Sequence, residues 1–309
     1  MSAKIVLVTR KTRLQGLVEK YNTASQARFY LEHAGCDFSD YEREDENYNR
    51  ALERVEGDLV KLDAEARLQV LPREMVPSYV FDERDVIVAL GQDGLVANTA
   101  KYAAGRPLIG VNPDPERFDG VLLPFTPERT LAAVRRVRDQ QAHVRKVTLA
   151  EARLADGQRL LAFNDLFIGA RSHVSARYRI RLGSMATVHS SSGIIVSTGA
   201  GSTGWLSSVF QMAASISRLA GGAPPSPVRL AWEEESLVYI VREPFLSRHS
   251  TVELCAGVIG RNTEIVVESL MPSEGVIFSD GMEADFLRFD SGTVATIGVA
   301  PEKACLVVG

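Results

Sequence analysis

Long apolar runs are missing from this 309-residue chain. No segment approaches the roughly 20 apolar residues that a membrane-spanning helix needs. The run nearest the N-terminus, Ile5 to Val8, is too short for the apolar region of a signal peptide, and no Arg- and Ser-rich lead precedes it. The expected location is therefore cytoplasmic. Cysteine is scarce: Cys36, Cys255 and Cys305 are odd in number and far apart, which suits neither a disulfide framework nor a zinc site. Excess positive charge is also absent. With 35 Lys and Arg against 39 Asp and Glu, the net charge is −4. No global field draws the chain to nucleic acid or to an anionic membrane, so an anionic substrate needs a locally basic site. Internal repeats and low-complexity tracts are missing too.

What remains is ordinary globular material, 45% apolar and 24% charged, in a length that favours two domains. Through about residue 142, strand-like and helix-like segments alternate. "KIVLVTR" reads as a buried strand, and Leu14, Leu17, Val18 and Tyr21 begin a helical stripe. A longer stripe runs through Leu52, Val55, Leu59, Leu62 and Ala66. The acidic run Glu42 to Glu46 ahead of it reads as a solvated helix face or loop. "DVIVAL" is a strand followed by a helix over 95–104, and "PLIGVN" is the next strand. Thr126 and Pro127 then open a helix whose wet face carries Arg135, Arg136 and Arg138. Alternation of this kind predicts an α/β domain over 1–142, an open and mainly parallel sheet covered by helices.

From about residue 143 strand signals follow one another. A hairpin is expected about Asp156-Gly157. "ARYRIRLG" puts Ala176, Tyr178, Ile180 and Leu182 on one face and three arginines on the other. One helix interrupts the series, with Trp205, Val209, Met212, Ile216 and Leu219 as its apolar stripe, read as structural. Residues 143–309 thus predict a β-rich, sandwich-like domain, with the last few residues free to return to the first.

Four stretches could carry chemistry. In "LGQDGL", Gly91 and Gly94 flank Asp93 at the end of a strand. Ligands of open α/β sheets bind beyond the carboxyl ends of the strands, and the following helix offers free N–H groups to an anion. Asp93 could orient a hydroxyl and accept its proton during phosphoryl transfer, or it could simply cap the helix; alone, the turn favours the cap. The loop holding Gly199, Gly201, Ser202, Thr203 and Gly204 opens a helix and forms a second polar cradle without the P-loop spacing. Its alternative is a capped helix with a flexible lead. Asn164 and Asp165 stand inside an apolar strand, where two polar residues are costly unless bonded. "SDGM", residues 279–282, reads as a hairpin turn without chemistry.

The order of these pieces resembles the NAD kinases, whose usual motifs are G-G-D-G, N-E and T-x-T-G-S-T-A-Y. "GVNPDPER", "SSGIIVSTGAGSTGW" and "VREP" are more similar to the mitochondrial-type branch. The resemblance spans about residues 5 to 300. It implies that Asp93 is catalytic, orienting and deprotonating the 2′-hydroxyl of the adenosine ribose of NAD. It implies that Gly91 and Gly94 approach phosphates. Asn112, Asn164, Asp165, Ser202, Thr203, Gly204 and Trp205 would then belong to the nucleotide site. ATP with magnesium would be the donor, the metal held largely by phosphates with no protein ligand, and the chain would act on NAD as a homodimer or larger homo-oligomer. Arg10 and Lys11, at the end of the first strand, are candidate phosphate partners. The sequence departs from the family where Gln92 replaces the second glycine, Leu95 a Thr, Asp165 a Glu, and Gly204-Trp205 an Ala-Tyr pair. Two alternatives stay open: a kinase for a sugar or lipid hydroxyl, and a non-catalytic NAD(P)-binding protein derived from the same fold.

Overall fold

The computed structural model describes residues 4–62, 67–103 and 105–309. Ala66, the last member of the expected long stripe, and residue 104, the end of the expected helix, lie outside them. The chain divides into two compact units, Met1–Arg145 with Cys305–Gly309, and Lys146–Ala304.

The first unit is α/β. Its elements are β1 (Ile5–Thr9), α1 (Arg13–Tyr21), α2 (Ala24–His33), α3 (Ser39–Val60), β2 (Leu68–Pro72), β3 (Val86–Leu90), α4 (Asp93–Tyr102), β4 (Pro107–Val111) and α5 (Pro127–Arg138). The strands are parallel in the order β2-β1-β3-β4. Cys305 and Leu306 add a further parallel pairing beside β4. Both faces of β1 and β3 are covered, which is why these strands are apolar throughout. One face packs Ile5, Leu7, Val86, Val88 and Leu90 against Tyr48, Ala51, Val55 and Leu59 of α3 and Ala133 and Val134 of α5. Burial of that stripe is what makes α3 a helix of 22 residues despite its charge.

Two expectations change here. The acidic run lies inside α3, and Glu44 is buried at 2% exposure rather than solvated. Two arginines make this possible: Arg10 Nη2 donates to Glu44 Oε1 at 2.9 Å, and Arg13 Nε donates to Glu44 Oε2. Burial acts to raise the Glu44 pKa, but the hydrogen bonds from Arg13 and Arg10 outweigh it and hold the carboxyl below its ordinary value. Helix α2 and strand β2 were not expected from the pattern, because neither carries an apolar stripe: α2 buries Ala27 and β2 buries Leu71.

The second unit is a two-sheet β structure. It contains β5 (Val144–Leu154), β6 (Arg159–Ala162), β7 (Asp165–Ala170), β8 (Ala176–Leu182), β9 (Met185–Ser191), β10 (Ile194–Ser197), α6 (Trp205–Leu219), β11 (Ser236–Val241), β12 (Ala256–Gly260), β13 (Ile265–Ser269), β14 (Gly275–Ser279), β15 (Phe286–Arg288) and β16 (Val294–Val307). One sheet runs β12-β11-β10-β7-β14-β15, and β16-β13-β8-β9 with the β5–β6 hairpin belong to the other. Between them lies one apolar core that includes Leu166, Ile168, Tyr178, Ile180, Ile194, Val196, Ile277 and Phe289. The β8 alternation comes out as read, Ala176, Tyr178 and Ile180 buried and the arginines exposed. The α6 stripe does not. Met212, Ile216 and Leu219 are 46%, 58% and 89% exposed, and the helix buries Leu206 and Ala214 instead. Among the described residues no helix is long and apolar enough to cross a membrane.

Candidate functional site

In the first unit, the carboxyl end of β3 turns into α4 through Gly91 and Gln92. Gln92 is the N-cap residue in extended conformation, and its carbonyl accepts from the N–H groups of Leu95 and Val96 at 2.8 and 3.3 Å. Its side chain makes no hydrogen bond among the described residues. Asp93 does not cap the helix. Its Oδ1 accepts from Leu122 N at 2.8 Å, and its Oδ2 from Val121 N at 3.2 Å. Two donors, one per oxygen, fix the plane of the carboxylate and leave further lone pairs on each oxygen.

The donors arrive because the 112–125 segment folds back on β4. A Cβ at Gly110 would stand 2.0 Å from Leu122 O, so only glycine admits that approach. Asn112 organises the segment: its Nδ2 donates to Phe118 O at 2.8 Å, and its Oδ1 accepts from Asp114 N at 3.0 Å. Both ends of the Asn112 amide are thus engaged within its own loop. Gly94 is different. It has an ordinary φ, is exposed, and a Cβ there would meet nothing within 4 Å, so no packing or backbone demand of the fold explains the glycine.

In the second unit the polar strand residues sit on a built platform. Asp280, in the turn read from sequence as a plain hairpin, has a positive φ of 52°. Its carboxylate accepts from the backbone N–H groups of Phe163, Asn164 and Asp165 at 3.0, 2.6 and 3.3 Å. This hub was missed because its partners lie more than a hundred residues upstream. The loop 198–204 packs onto the same strap. Thr198 donates from Oγ1 to Phe163 O at 2.6 Å and from N to Asn164 O at 2.9 Å. Cβ atoms on Gly199 and Gly201 would stand 2.1 Å from Ala231 O and 2.3 Å from Asn164 O. Those glycines are required by close packing. Ser202 donates to Gly199 O at 2.7 Å within the loop, while Thr203 and Gly204 are exposed at its tip.

Asp165 is buried beside Ser197 and Asp280, and its Oδ1 has no partner. Burial pushes its carboxyl up to about 7; the Ser197 hydrogen bond works the other way, and the nearby Asp280 charge adds to the rise. Strand alternation puts Asp165 and Phe167 on the face opposite the core. Beside Phe167 opens a cavity of about 520 Å³, floored by Phe167, Phe278 and Trp205 and edged by Arg171, Arg242 and Glu243. Trp205 stacks on Phe167 (5.8 Å, 14°), Phe167 on Phe278 (4.9 Å), and Arg242 lies over the indole at 5.4 Å. Its size suits a small-molecule group, and the aromatic floor suits a planar one. Phe167 could have been found by extending the two-residue alternation from Asp165, and Phe278 by one such step back from Asp280; Arg242 and Glu243 lie within the "VREP" stretch, while Arg171 carries no such signal.

The Asp280 hub has a direct consequence. Asp280→Ala leaves three partly buried N–H groups without a charged acceptor, and it is expected to cost about 2–4 kcal/mol of stability. Urea unfolding of the two chains checks this; a loss within about 0.5 kcal/mol, the surface-substitution range, contradicts the assignment.

No family model matches the chain. A curated NAD kinase from Chlorobium luteolum is 32% identical over 127 residues, 39% of this chain and 43% of that protein. One from Chlorobium phaeobacteroides is 28% identical over 149 residues, 46% and 51%. The chain thus spans about half the length of the curated relatives it matches. Among solved structures, an NAD kinase from Archaeoglobus fulgidus in complex with ATP is similar over 98% of this chain and 93% of its own, with a TM-score of 0.52 and 18% identity. Yeast NADH kinase complexed with NADH is similar over 100% and 84%, with a TM-score of 0.53 and 15% identity. An α/β unit of parallel strands and an antiparallel β-rich unit, in this order, give the chain the fold of the NAD kinases.

Proposed function

We propose that the chain is an NAD kinase that transfers a phosphoryl group from ATP to the 2′-hydroxyl of the adenosine ribose of NAD, giving NADP. One observation carries the reading. A carboxylate stands at the carboxyl end of a parallel strand, oriented by two backbone N–H groups, beside a glycine that the fold itself does not require. Asp93 accepts the proton of the attacking hydroxyl as the O–P bond forms and ADP leaves. Catalysis of this kind rests mainly on positioning and charge stabilisation. Gly91 and Gly94 let phosphates approach the start of α4, where the first N–H groups have no intrahelical acceptor. Asn164 and Asp165 bind the dinucleotide, the unpartnered Asp165 Oδ1 accepting from a ribose hydroxyl. Ser202, Thr203, Gly204 and Trp205 line the dinucleotide site at the start of α6, the indole offering a stacking face. Asn112 shapes the segment that holds Asp93.

Magnesium belongs to the donor substrate, as Mg-ATP. The described residues hold no group of three or more His, Cys, Asp or Glu side chains suited to a metal ion. The pattern of "GVNPDPER", the S-S-G stretch and "VREP" supports the mitochondrial-type branch. A homodimer or larger homo-oligomer, in the cytoplasm, belongs to the same reading. The exposed apolar side chains of Met212, Ile216 and Leu219 support the oligomer, which light scattering checks.

The purified chain with ATP, magnesium and NAD is expected to form NADP. No turnover with any nucleoside triphosphate or with polyphosphate sinks the proposal, and turnover of a sugar or lipid alcohol but not of NAD replaces it with a different kinase. Gln92 gives a second handle. Its side chain is unbonded at a turn where the family carries glycine, and glycine at an N-cap costs only about a few tenths of a kcal/mol. Gln92→Gly is therefore expected to lower KM for ATP by about threefold or more with little change in Tm. Activity that appears only in this variant identifies the natural chain as a dinucleotide-binding protein rather than an enzyme.

A further inference from the structure

Strand order marks one place in the first unit. From β1 the sheet grows to β2 on one side and then to β3 on the other, so the direction of winding switches between β1 and β3. Ligands of open α/β sheets lie outside the carboxyl ends of the strands at such a switch. The end of β3 delivers the Gly91–Gly94 turn. The end of β1 delivers Arg10, whose side chain is only 9% exposed.

Arg10 is tightly held. Its Nη2 donates to Glu44 at 2.9 Å, its Nη1 to Lys11 O at 3.0 Å, and its guanidinium lies over the Tyr48 ring at 5.0 Å. Tyr48 Oη accepts from Arg10 N at 2.9 Å, and its own hydroxyl donates to Leu90 O at 3.3 Å. Tyr48 thus ties the end of β1 to the end of β3. Arg10 Nε is buried and has no partner. It is bonded to Cδ, and Cδ would lie 3.4 Å from a Cβ placed on Gly91. An unpartnered donor atom of a buried cation is thus bonded directly to the carbon that packs against the glycine turn. Arg10 and Arg13 share the single carboxylate of Glu44, so Glu44 does not occupy every donor of Arg10. Leaving a buried N–H of a cation unmet is costly, and a ligand acceptor removes that cost.

We infer that Arg10 is a donor-binding residue: its Nε–H donates to an oxygen of the polyphosphate chain of the phosphoryl donor, lying across Gly91–Gly94. The inference rests on the kinase reading for its role in turnover, but not for binding. Lysine keeps a charge opposite Glu44 yet lacks both the fork and the Nε–H, so it separates the ligand role from the ion pair.

In the full chain, Arg10→Lys is expected to raise KM for ATP about tenfold or more, with KM for NAD within twofold, and to lower Tm through the lost fork and stacking contacts. An unchanged KM for ATP, or an equal rise in both KM values, overturns the inference. If the natural chain makes no NADP, calorimetry with Mg-ATP and with inorganic tripolyphosphate decides. Binding that Arg10→Lys weakens about tenfold keeps the inference while the kinase reading falls; no binding of either compound overturns it. Should the variant fail to fold, the Arg10 Nε–H resonance of the natural chain is followed instead. It shifts on adding tripolyphosphate if the inference holds and stays in place if it does not.

Discussion

Asp93→Asn is expected to lower kcat for NADP formation by about 10²–10⁴-fold, the usual weight of a positioned general base. The substitution is nearly isosteric. The amide oxygen still accepts from Leu122 N, while the amide nitrogen faces the N–H of Val121 and loses that bond. One hydrogen bond to a half-exposed group is worth about 1 kcal/mol, so stability falls by about that much or less. The split between the two numbers is the test. A positioning carboxylate that only holds the 112–125 segment gives a modest fall in kcat with a matching fall in stability. Rates by coupled assay and unfolding by urea, on the same preparation, separate the two. Activity within tenfold of the natural chain removes Asp93 from the chemistry.

Asp165→Asn is expected to do the opposite to stability. The carboxyl of Asp165 is pushed up to about 7 in the folded chain, chiefly by burial, from an ordinary 3.8. Below about 3.8 it is protonated folded and unfolded alike and has no effect. Between about 4 and 7 the unfolded chain loses the proton and the folded chain keeps it. Stability therefore falls with rising pH by up to about 1.4 kcal/mol per unit. Above about 7 the penalty is complete, on the order of 4 kcal/mol. Asparagine removes that penalty but leaves a buried amide imperfectly paired, at a cost of about 1–3 kcal/mol. The net expectation is a gain of about 1–3 kcal/mol at pH 8 that turns into a loss of about 1–3 kcal/mol toward pH 4.

Ligand binding pays in the other direction. In the proposed site the ionised Oδ1 accepts from a ribose hydroxyl, so the natural chain should bind NAD more tightly as pH rises from 6 to 8. The variant should bind about tenfold or more weakly at pH 8, with a flat profile. Melting curves at pH 5 and pH 8, with NAD titrations at both, check all of this. A variant that is less stable at pH 8 and binds NAD normally makes Asp165 a structural residue. If both results hold, the site is built at the expense of the fold, with the costly carboxylate being the one left without a partner.

Much of this was legible in the chain itself because the signals are local. An apolar run that ends in Gly91, a carboxylate, and Gly94 marks a strand-to-helix turn wherever it occurs. The alternation of β8 and the Asp156-Gly157 hairpin follow from the two-residue period and from a residue that tolerates positive φ. The order of such pieces was enough to name the fold class and to single out Asp93 as a candidate. Local pattern has no access to contacts across long stretches of chain. Nothing near Asp280 announces that its carboxylate gathers three N–H groups from residues 163–165. Nothing near Glu44 distinguishes it from its solvated neighbours until Arg10 and Arg13 fold over it. The α6 stripe has core periodicity, yet three of its members face outward, because periodicity describes a helix face and not what lies opposite it.

The sequence by itself thus determined most of the elements, α2 and β2 apart, and which turns carry polar side chains, since backbone preference and apolar period act over a few residues. Only the tertiary structure decided which carboxylate is oriented, which is desolvated, and which cation keeps an unsatisfied N–H. Those properties are set by long-range hydrogen bonding and exclusion of water, and neither exists until distant segments meet.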